Sequence, residues 1–122
     1  MFKRIDHVAL HINNLEISTN FYINNFGFKE HYYNVVPGGM RINYLKLGDT
    51  ILELTEHSDG AIIGSHFCLE ATDFTLAIEN LLKNNVKMLC SPHATNARSL
   101  QEQGWQRVLF EGPDGEQIEI RG

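Results

Sequence analysis

The sequence predicts an α+β fold of two paired βαβββ modules, which form a curved sheet with the helices on its outer face. Two observations predict this fold. Each half of the chain begins with a strand that bears a His and ends with a strand that bears a Glu, and each half carries a helix signal between them. Because a pattern repeated within one chain indicates a duplicated structural unit, residues 1–122 are predicted to form one domain of two repeats, about 4–57 and 64–121.

The first repeat shows one helix signal among four strand signals. Its first segment alternates apolar and polar side chains, which is typical of a half-buried strand. Asn13 and Asn14 can then cap a helix that Gly27 ends. The three later segments are aromatic, β-branched or alternating, and Gly-containing turns separate them. The predicted elements are a strand over 5–12, a helix over 15–25, and strands over 28–36, 40–47 and 50–55.

The second repeat follows the same order. Asp73 is a predicted N-cap, and the apolar residues after it recur at helical spacing as far as Asn84. The segment 91–104 is polar and is predicted to be irregular, with a lid as one interpretation. Residues 112–115, with the sequence Gly-Pro-Asp-Gly, are a predicted hairpin turn. The predicted strands cover 65–71, 86–90, 105–111 and 116–121.

One His and one Glu in each repeat lie on the predicted polar face of their strands. Since side chains alternate between the two faces of a strand, His7 and Glu53 point away from the aliphatic residues beside them, and so do His66 and Glu119. A lone His or Glu on such a face is usually solvated. The same pattern in both halves, on one predicted face, favours a shared site, and two His with two Glu are a ligand set for a divalent metal ion.

A divalent cation would also balance the charge of this cluster. Two carboxylates that converge in a partly dry cavity repel each other, so one of them would have to be protonated. Two neutral imidazoles, two carboxylates and one divalent ion sum to zero charge. Mixed nitrogen and oxygen ligation suits Zn²⁺, Ni²⁺, Co²⁺, Mn²⁺ or Fe²⁺, and the ligand types alone do not choose among them.

Composition argues against several classes of partner. The net charge of −5 and the pI near 5.6 argue against a nucleic-acid partner. No apolar run is long enough for a membrane span, and the N-terminal residues lack the apolar core of a signal peptide. We therefore expect a cytoplasmic protein without a membrane partner, in which Cys68 and Cys90 are reduced.

The chain resembles the vicinal oxygen chelate superfamily and, within it, the short bacterial enzymes of the glyoxalase I (lactoylglutathione lyase) type. The resemblance spans nearly the whole chain. Its most specific part is the segment 112–120, Gly-Pro-Asp-Gly-Glu-Gln-Ile-Glu-Ile. The other carriers are His7 in Ile-Asp-His-Val-Ala-Leu, the Phe21-Tyr22 and Phe26-Gly27-Phe28 segments, Glu53 in Leu-Glu-Leu-Thr, and His66 in Ser-His-Phe.

This resemblance implies the glyoxalase/bleomycin resistance/dioxygenase fold and a homodimer with one divalent ion per chain, Ni²⁺, Co²⁺ or Zn²⁺. The ligands would be His7, Glu53, His66 and Glu119, and in short members each metal site is usually shared between subunits. The implied reaction is proton transfer next to a carbonyl of a small α-oxo adduct, such as a methylglyoxal-thiol hemithioacetal, while the metal stabilises the enediolate. Glu119 is the better candidate for the base, and Glu53 could serve the opposite face.

The departures from this pattern concern the substrate rather than the metal. Glyoxalase I enzymes typically bind glutathione with an Arg four positions after the first His and an Asn four positions after the first Glu, where this chain has His11 and His57. An imidazole can be neutral near pH 7, so glutathione is a weaker candidate as co-substrate. Arg41, Arg98 and Arg107 could meet an anionic substrate or lie solvated on the surface.

Three alternatives stay open at this point. Two share the fold and differ in chemistry: an acyl-CoA epimerase and an antibiotic thiol transferase. Those epimerases usually have Gln at the position of Glu53, which argues against the first of them. The third alternative is a metal-free module that sequesters a drug, although such modules normally lack the full ligand set that this chain retains.

Overall fold

The computed structural model describes residues 7–57, 66–95, 97 and 100–122. The chain divides into two compact units, Met1–Ile63 and Gly64–Gly122. Each unit contains one α-helix and a mixed four-stranded sheet. Both units follow the order βαβββ, so the predicted α+β class and the predicted order of elements are confirmed. The prediction that residues 1–122 form one domain stays a prediction.

The first unit pairs its first strand with its last. Its sheet has the order β1-β4-β3-β2, with β1 parallel to β4 and the other neighbours antiparallel. The Asn14 side chain accepts a hydrogen bond from the N–H of Ile17, and Gly27 ends the helix in the left-handed conformation, as predicted. The elements are β1 (Val8–Ile12), α1 (Leu15–Phe26), β2 (Lys29–Val35), β3 (Arg41–Leu47) and β4 (Thr50–Glu56).

Alternation along β1 and β4 separates a buried face from an open one. Leu10 and Ile12 on β1, and Leu52 and Leu54 on β4, are buried. Burying one such aliphatic side chain contributes about 1.5–3 kcal/mol, so these residues hold their strands in one orientation. His11 and the other residues of opposite parity are thereby left on the open face of the sheet.

The second unit repeats this topology. Its sheet has the order β5-β8-β7-β6, with β5 parallel to β8. Asp73 caps the helix by accepting a hydrogen bond from the N–H of Leu76. The elements are β5 (His66–Glu70), α2 (Phe74–Lys83), β6 (Met88–Ala94), a 3₁₀ turn (Leu100–Glu102), β7 (Gln106–Glu111) and β8 (Gln117–Arg121).

The sixth strand differs from its prediction. A strand over 86–90 followed by an irregular segment from 91 was predicted, but β6 begins at Met88 and continues to Ala94. Two register shifts, on either side of Cys90, let the polar residues keep pairing with β7. Pro92 is tolerated because β6 is an edge strand, where a missing N–H need not interrupt the ladder.

The turn before β8 depends on Gly112. A Cβ atom there would collide with the Glu116 side chain, which is buried and accepts a hydrogen bond from the N–H of Asp114. Gly115 has a positive φ of 82°, a conformation that favours glycine. The Gly-Pro-Asp-Gly-Glu segment therefore fixes the start of the strand that carries Glu119.

An ion cluster ties α1 to the sheet of the first unit. Arg41 donates hydrogen bonds to Glu56 at 2.7 and 2.9 Å and also pairs with Glu16. Glu56 in turn accepts a hydrogen bond from the N–H of Leu15 at the start of the helix. Arg41 is thus engaged by two carboxylates within its own unit.

We expect Arg41→Met to lower the melting temperature by a few degrees at pH 7 and by less near pH 3. The hydrogen bonds from Arg41 hold the pKa of Glu16 and the pKa of Glu56 below their usual value of 4.5. Stability that comes from a lowered carboxyl pKa is present above the unfolded-state value and is lost as the pH falls through the folded-state value. Thermal unfolding followed by circular dichroism at both pH values measures the difference.

The control for this prediction is Lys87→Met, which removes a single exposed ion pair with Glu111 in the second unit. That substitution should change the melting temperature little at either pH. An equal loss of stability at pH 7 and pH 3 in Arg41→Met would contradict the electrostatic account and would assign the effect to packing.

Candidate metal centre

His7 and Glu53 lie side by side on the open face of the first sheet. The distance from His7 Nε2 to Glu53 Oε2 is 3.1 Å. The parallel register places Ala9 opposite Glu53, and His7 precedes Ala9 by two residues on the same face. The Glu53 side chain is only 14% exposed, whereas that of His7 is 41% exposed. The structure brings this predicted pair together, and its role in binding metal stays a prediction.

Glu53 has a partner for each of its carboxylate oxygens. Oε2 faces His7, and Oε1 accepts a hydrogen bond of 2.9 Å from the Thr55 hydroxyl. Tyr44 lies directly opposite Glu53 on β3, and its ring meets the His7 ring edge-on with centroids 6.5 Å apart. Burial, followed by the negative charge of Glu53, raises the pKa of the Tyr44 phenol.

Sequence reasoning missed Tyr44 as a member of this cluster. Tyr44 follows Ile42 by two residues on β3, so alternation predicts only that their side chains point to the same face of the sheet. Its position beside Glu53 depends on the register between β3 and β4.

The two predicted substrate-binding histidines of the first unit also come together. The rings of His11 and His57 have centroids 4.3 Å apart and are tilted by 32°. The backbone N–H of His57 donates to the backbone carbonyl of Ile12 at 2.8 Å, which extends the pairing of β1 with β4 by one residue. His11, four residues after His7, and His57, four residues after Glu53, are therefore neighbours in this unit.

The second unit places His66 and Glu119 in the same register relation. Cys68 lies opposite Glu119 in the parallel pair β5 and β8, and His66 precedes Cys68 by two residues. In the first unit, likewise, Ala9 lies opposite Glu53, and His7 precedes Ala9 by two residues. The repeated sequence pattern thus corresponds to a repeated strand register.

Among the described residues, Arg107 is the cation that lies within 4.0 Å of Glu119. Its Nη1 atom is 4.0 Å from Glu119 Oε1, and the Glu119 side chain is 13% exposed. Arg107 precedes Leu109 by two residues, and Leu109 lies opposite Glu119. Arg98, the other predicted substrate-binding arginine, lies outside the described residues.

The donor atoms fit a first-row divalent ion in type and spacing. Two adjacent ligands bound at roughly 2.0–2.2 Å in an octahedral shell stand about 3 Å apart, which matches the separation of His7 Nε2 and Glu53 Oε2. The Thr55 hydroxyl orients the second oxygen of Glu53, as outer partners of metal ligands commonly do. Among the described residues, no group of three or more His, Cys, Asp or Glu side chains could hold an ion.

None of the helices in the described part of the chain is long and apolar enough to cross a membrane. Neither Cys68 nor Cys90 forms a disulfide bond.

Comparisons with solved structures return the same fold. A glyoxalase family protein from Enterococcus faecalis is 23% identical, with a TM-score of 0.82 over 99% of this chain and 98% of that chain. The protein SMU.1112c is 22% identical, with a TM-score of 0.81 over 100% of both chains. A mutant of the fosfomycin resistance protein FosX from Listeria monocytogenes, in complex with Mn(II) and 1S,2S-dihydroxypropylphosphonic acid, is 16% identical, with a TM-score of 0.77 over 98% of this chain and 92% of that chain.

Family assignment depends on a sequence match over nearly the full chain. No curated protein sequence matches this chain. A family model described as the Glyoxalase/Bleomycin resistance protein/Dioxygenase superfamily matches residues 4–120. The chain therefore belongs to the Glyoxalase/Bleomycin resistance protein/Dioxygenase superfamily.

Proposed function

We propose that the protein is a metal-dependent lyase or isomerase of the glyoxalase I type, which moves a proton next to a carbonyl. The proposed substrate is a small α-oxo adduct, such as the hemithioacetal of methylglyoxal and a thiol, so that the reaction would serve methylglyoxal detoxification. The observation that carries the proposal is the contact of 3.1 Å between His7 and Glu53. The same strand register of His66 and Glu119 in the second unit supports it.

His7, Glu53, His66 and Glu119 would hold one divalent ion per chain, with Ni²⁺, Co²⁺ and Zn²⁺ as the leading candidates. When bound, such an ion supplies a Lewis acid that stabilises negative charge on two adjacent substrate oxygens. The Mn(II) in the complex of the FosX mutant supports a divalent metal as the cofactor to test first. As the family resemblance implies, we expect a homodimer whose subunits share the sites.

Glu119 is the better candidate for the base because its carboxylate is less engaged than that of Glu53. Both oxygens of Glu53 face partners, His7 on one side and the Thr55 hydroxyl on the other. For Glu119, the cation that the described residues supply is Arg107 at 4.0 Å, which is too far for a hydrogen bond. A carboxylate with a free oxygen can accept a proton from the α-carbon and return it to the neighbouring carbon.

The thiol half of the substrate would meet His11 and His57. Their rings form a stacked pair, 4.3 Å apart, at the positions where glutathione-dependent relatives carry Arg and Asn. An imidazole can be neutral near pH 7, so it binds a carboxylate group of the thiol less strongly than a permanently charged guanidinium does. We therefore expect these two positions to contribute less to glutathione binding than the Arg and Asn of those relatives do.

The metal content of the purified protein tests this proposal first. After stripping and reloading with Ni²⁺, Co²⁺, Zn²⁺ or Mn²⁺, we expect mass spectrometry to find about one tightly held ion per chain. His7→Ala should lose that ion because it removes a nitrogen ligand. His31→Ala, which changes an exposed histidine on β2, is the matched control and should keep it.

Assays with the best-bound metal then separate the alternatives. Hemithioacetals, acyl-CoA esters and fosfomycin distinguish the proposed lyase from an epimerase and from an antibiotic thiol transferase. If none of the four ions binds specifically, the proposed mechanism fails. A metal-free, drug-sequestering module would then be the leading function, and chelators should leave its ligand binding unchanged.

A further inference from the structure

The Arg107 guanidinium has no hydrogen-bond partner among the residues that the structure describes. Its Nε atom is shielded from solvent and has no acceptor. Its Nη1 atom lies 4.0 Å from Glu119, beyond hydrogen-bond range, and the side chain is 37% exposed. A shielded donor without an acceptor is rare in folded proteins and is costly to maintain. The exposed end of the guanidinium therefore has N–H groups that no described residue engages, and a ligand could accept hydrogen bonds from them.

Arg121, on the neighbouring strand β8, is an arginine whose charge is balanced by a carboxylate. Arg121 lies directly opposite Arg107, and it is almost fully buried. Its Nε atom, like that of Arg107, has no acceptor among the described residues, but its Nη2 atom donates to Glu102 at 3.2 Å, and its guanidinium lies 5.8 Å from the centre of the Trp105 ring. Like charges directly opposite each other destabilise a sheet. Glu102 compensates Arg121, whereas the described part of the chain offers Arg107 only Glu119, at 4.0 Å.

The proposed role of Glu119 leaves Arg107 still less compensated. A carboxylate that ligates a metal ion shares its charge with that ion and no longer serves as a full counterion for the arginine. On the other side, His93 lies opposite Arg107 on β6. The hydrogen-bond contacts of its Nδ1 atom stay within β6, with the carbonyl of Ser91 at 2.9 Å and Cys90 Sγ at 3.5 Å.

We propose that Arg107 anchors a carboxylate or phosphonate group of the substrate through paired N–H bonds from its exposed end. A planar guanidinium binds such oxyanions in this bidentate manner. The anion would lie in the row formed by His93, Arg107 and Arg121, beside Glu119. This inference depends on the proposed function for the reacting end of the substrate, and it adds that the substrate is an acid.

Three hydroxamates that differ in a single group test the anchor. All three carry the same metal-chelating hydroxamate. Acetohydroxamate has no other charged group, malonomonohydroxamate also has a carboxylate, and phosphonoacetohydroxamate also has a phosphonate. Calorimetry on the metal-loaded wild type should show the anionic ligands binding roughly 10- to 100-fold more tightly than the neutral one. The preferred anion identifies the acid class of the substrate.

Variants assign that preference to Arg107. Arg107→Gln should abolish the preference for anions, whereas Arg107→Lys should keep part of it as a point charge. Arg41→Gln, which removes an arginine paired with Glu56 and Glu16, is the control and should keep the full preference. Circular dichroism verifies that each variant is folded.

The outcomes separate the anchor from the proposed function. If acetohydroxamate binds and Arg107→Gln keeps the full preference for anions, the anchor is overturned and the metal centre stands. If acetohydroxamate binds no metal-loaded form, the metal centre is overturned. Phosphonoacetate and malonate then test the anchor alone, and equal affinities for wild type and Arg107→Gln would overturn it as well.

Discussion

Glu119→Gln should abolish turnover while leaving the fold intact. Glutamine has the same size and can still form hydrogen bonds, but it cannot accept the α-proton, so we expect kcat to fall by roughly 10³-fold or more. The fold should survive because the buried side chains of β8, Ile118 and Ile120, are unchanged. Hemithioacetal turnover at saturating metal, together with circular dichroism, measures both effects.

Two companion substitutions sharpen this test. Glu79→Gln changes an exposed carboxylate on α2 and should leave kcat unaltered. Glu53→Gln alters the carboxylate that contacts His7 and Thr55, so its main effect should be on metal affinity rather than on kcat at saturating metal. Full activity of Glu119→Gln at normal metal content would remove Glu119 from the mechanism.

Mixed dimers should regain metal that neither parent variant binds. One parent lacks the donors of the first unit (His7→Ala with Glu53→Ala), and the other lacks those of the second unit (His66→Ala with Glu119→Ala). If sites are shared between subunits, a mixed dimer combines both intact pairs at one of its two sites. It should then hold about one ion per dimer, half the content of the wild type.

The measurement requires dimers that contain one subunit of each kind. Co-expression with two different affinity tags and purification on both tags isolates them, and mass spectrometry gives the metal content. Each parent alone should hold no ion, and a dimer of two differently tagged wild-type chains is the positive control. Mixed dimers without metal, beside a fully loaded control, would contradict shared sites and place all four ligands within one chain.

Local pattern was enough to predict most of the fold. Asn14 and Gly27 mark the ends of α1 because capping is decided by neighbouring residues. The alternation around Leu10 and Leu54 predicted which face of each strand is buried. The end of β6 could not be predicted in this way, because the pairing of Cys90 and His93 with β7 depends on two bulges that leave no simple alternation.

The candidate site was predictable only as a set of residues that share a face. Alternation places His7 and Glu53 on one face, but it does not set the register between strands that are distant in sequence. Packing decided that register, and with it the contact of 3.1 Å and the position of Tyr44 opposite Glu53. The stacking of His11 on His57 follows from the same register.

The sequence by itself determined the duplicated βαβββ order, the buried faces and the identity of the His and Glu candidates, because each depends on residues close together in the chain. Only the tertiary structure distinguished Arg41 from Arg107. As sequence positions they are equivalent cations, yet Arg41 binds Glu56 on the helix-covered side of one sheet, while Arg107 lacks a hydrogen bond among the described residues. Partners supplied by distant strands decide the charge balance of a side chain, and local sequence does not encode them.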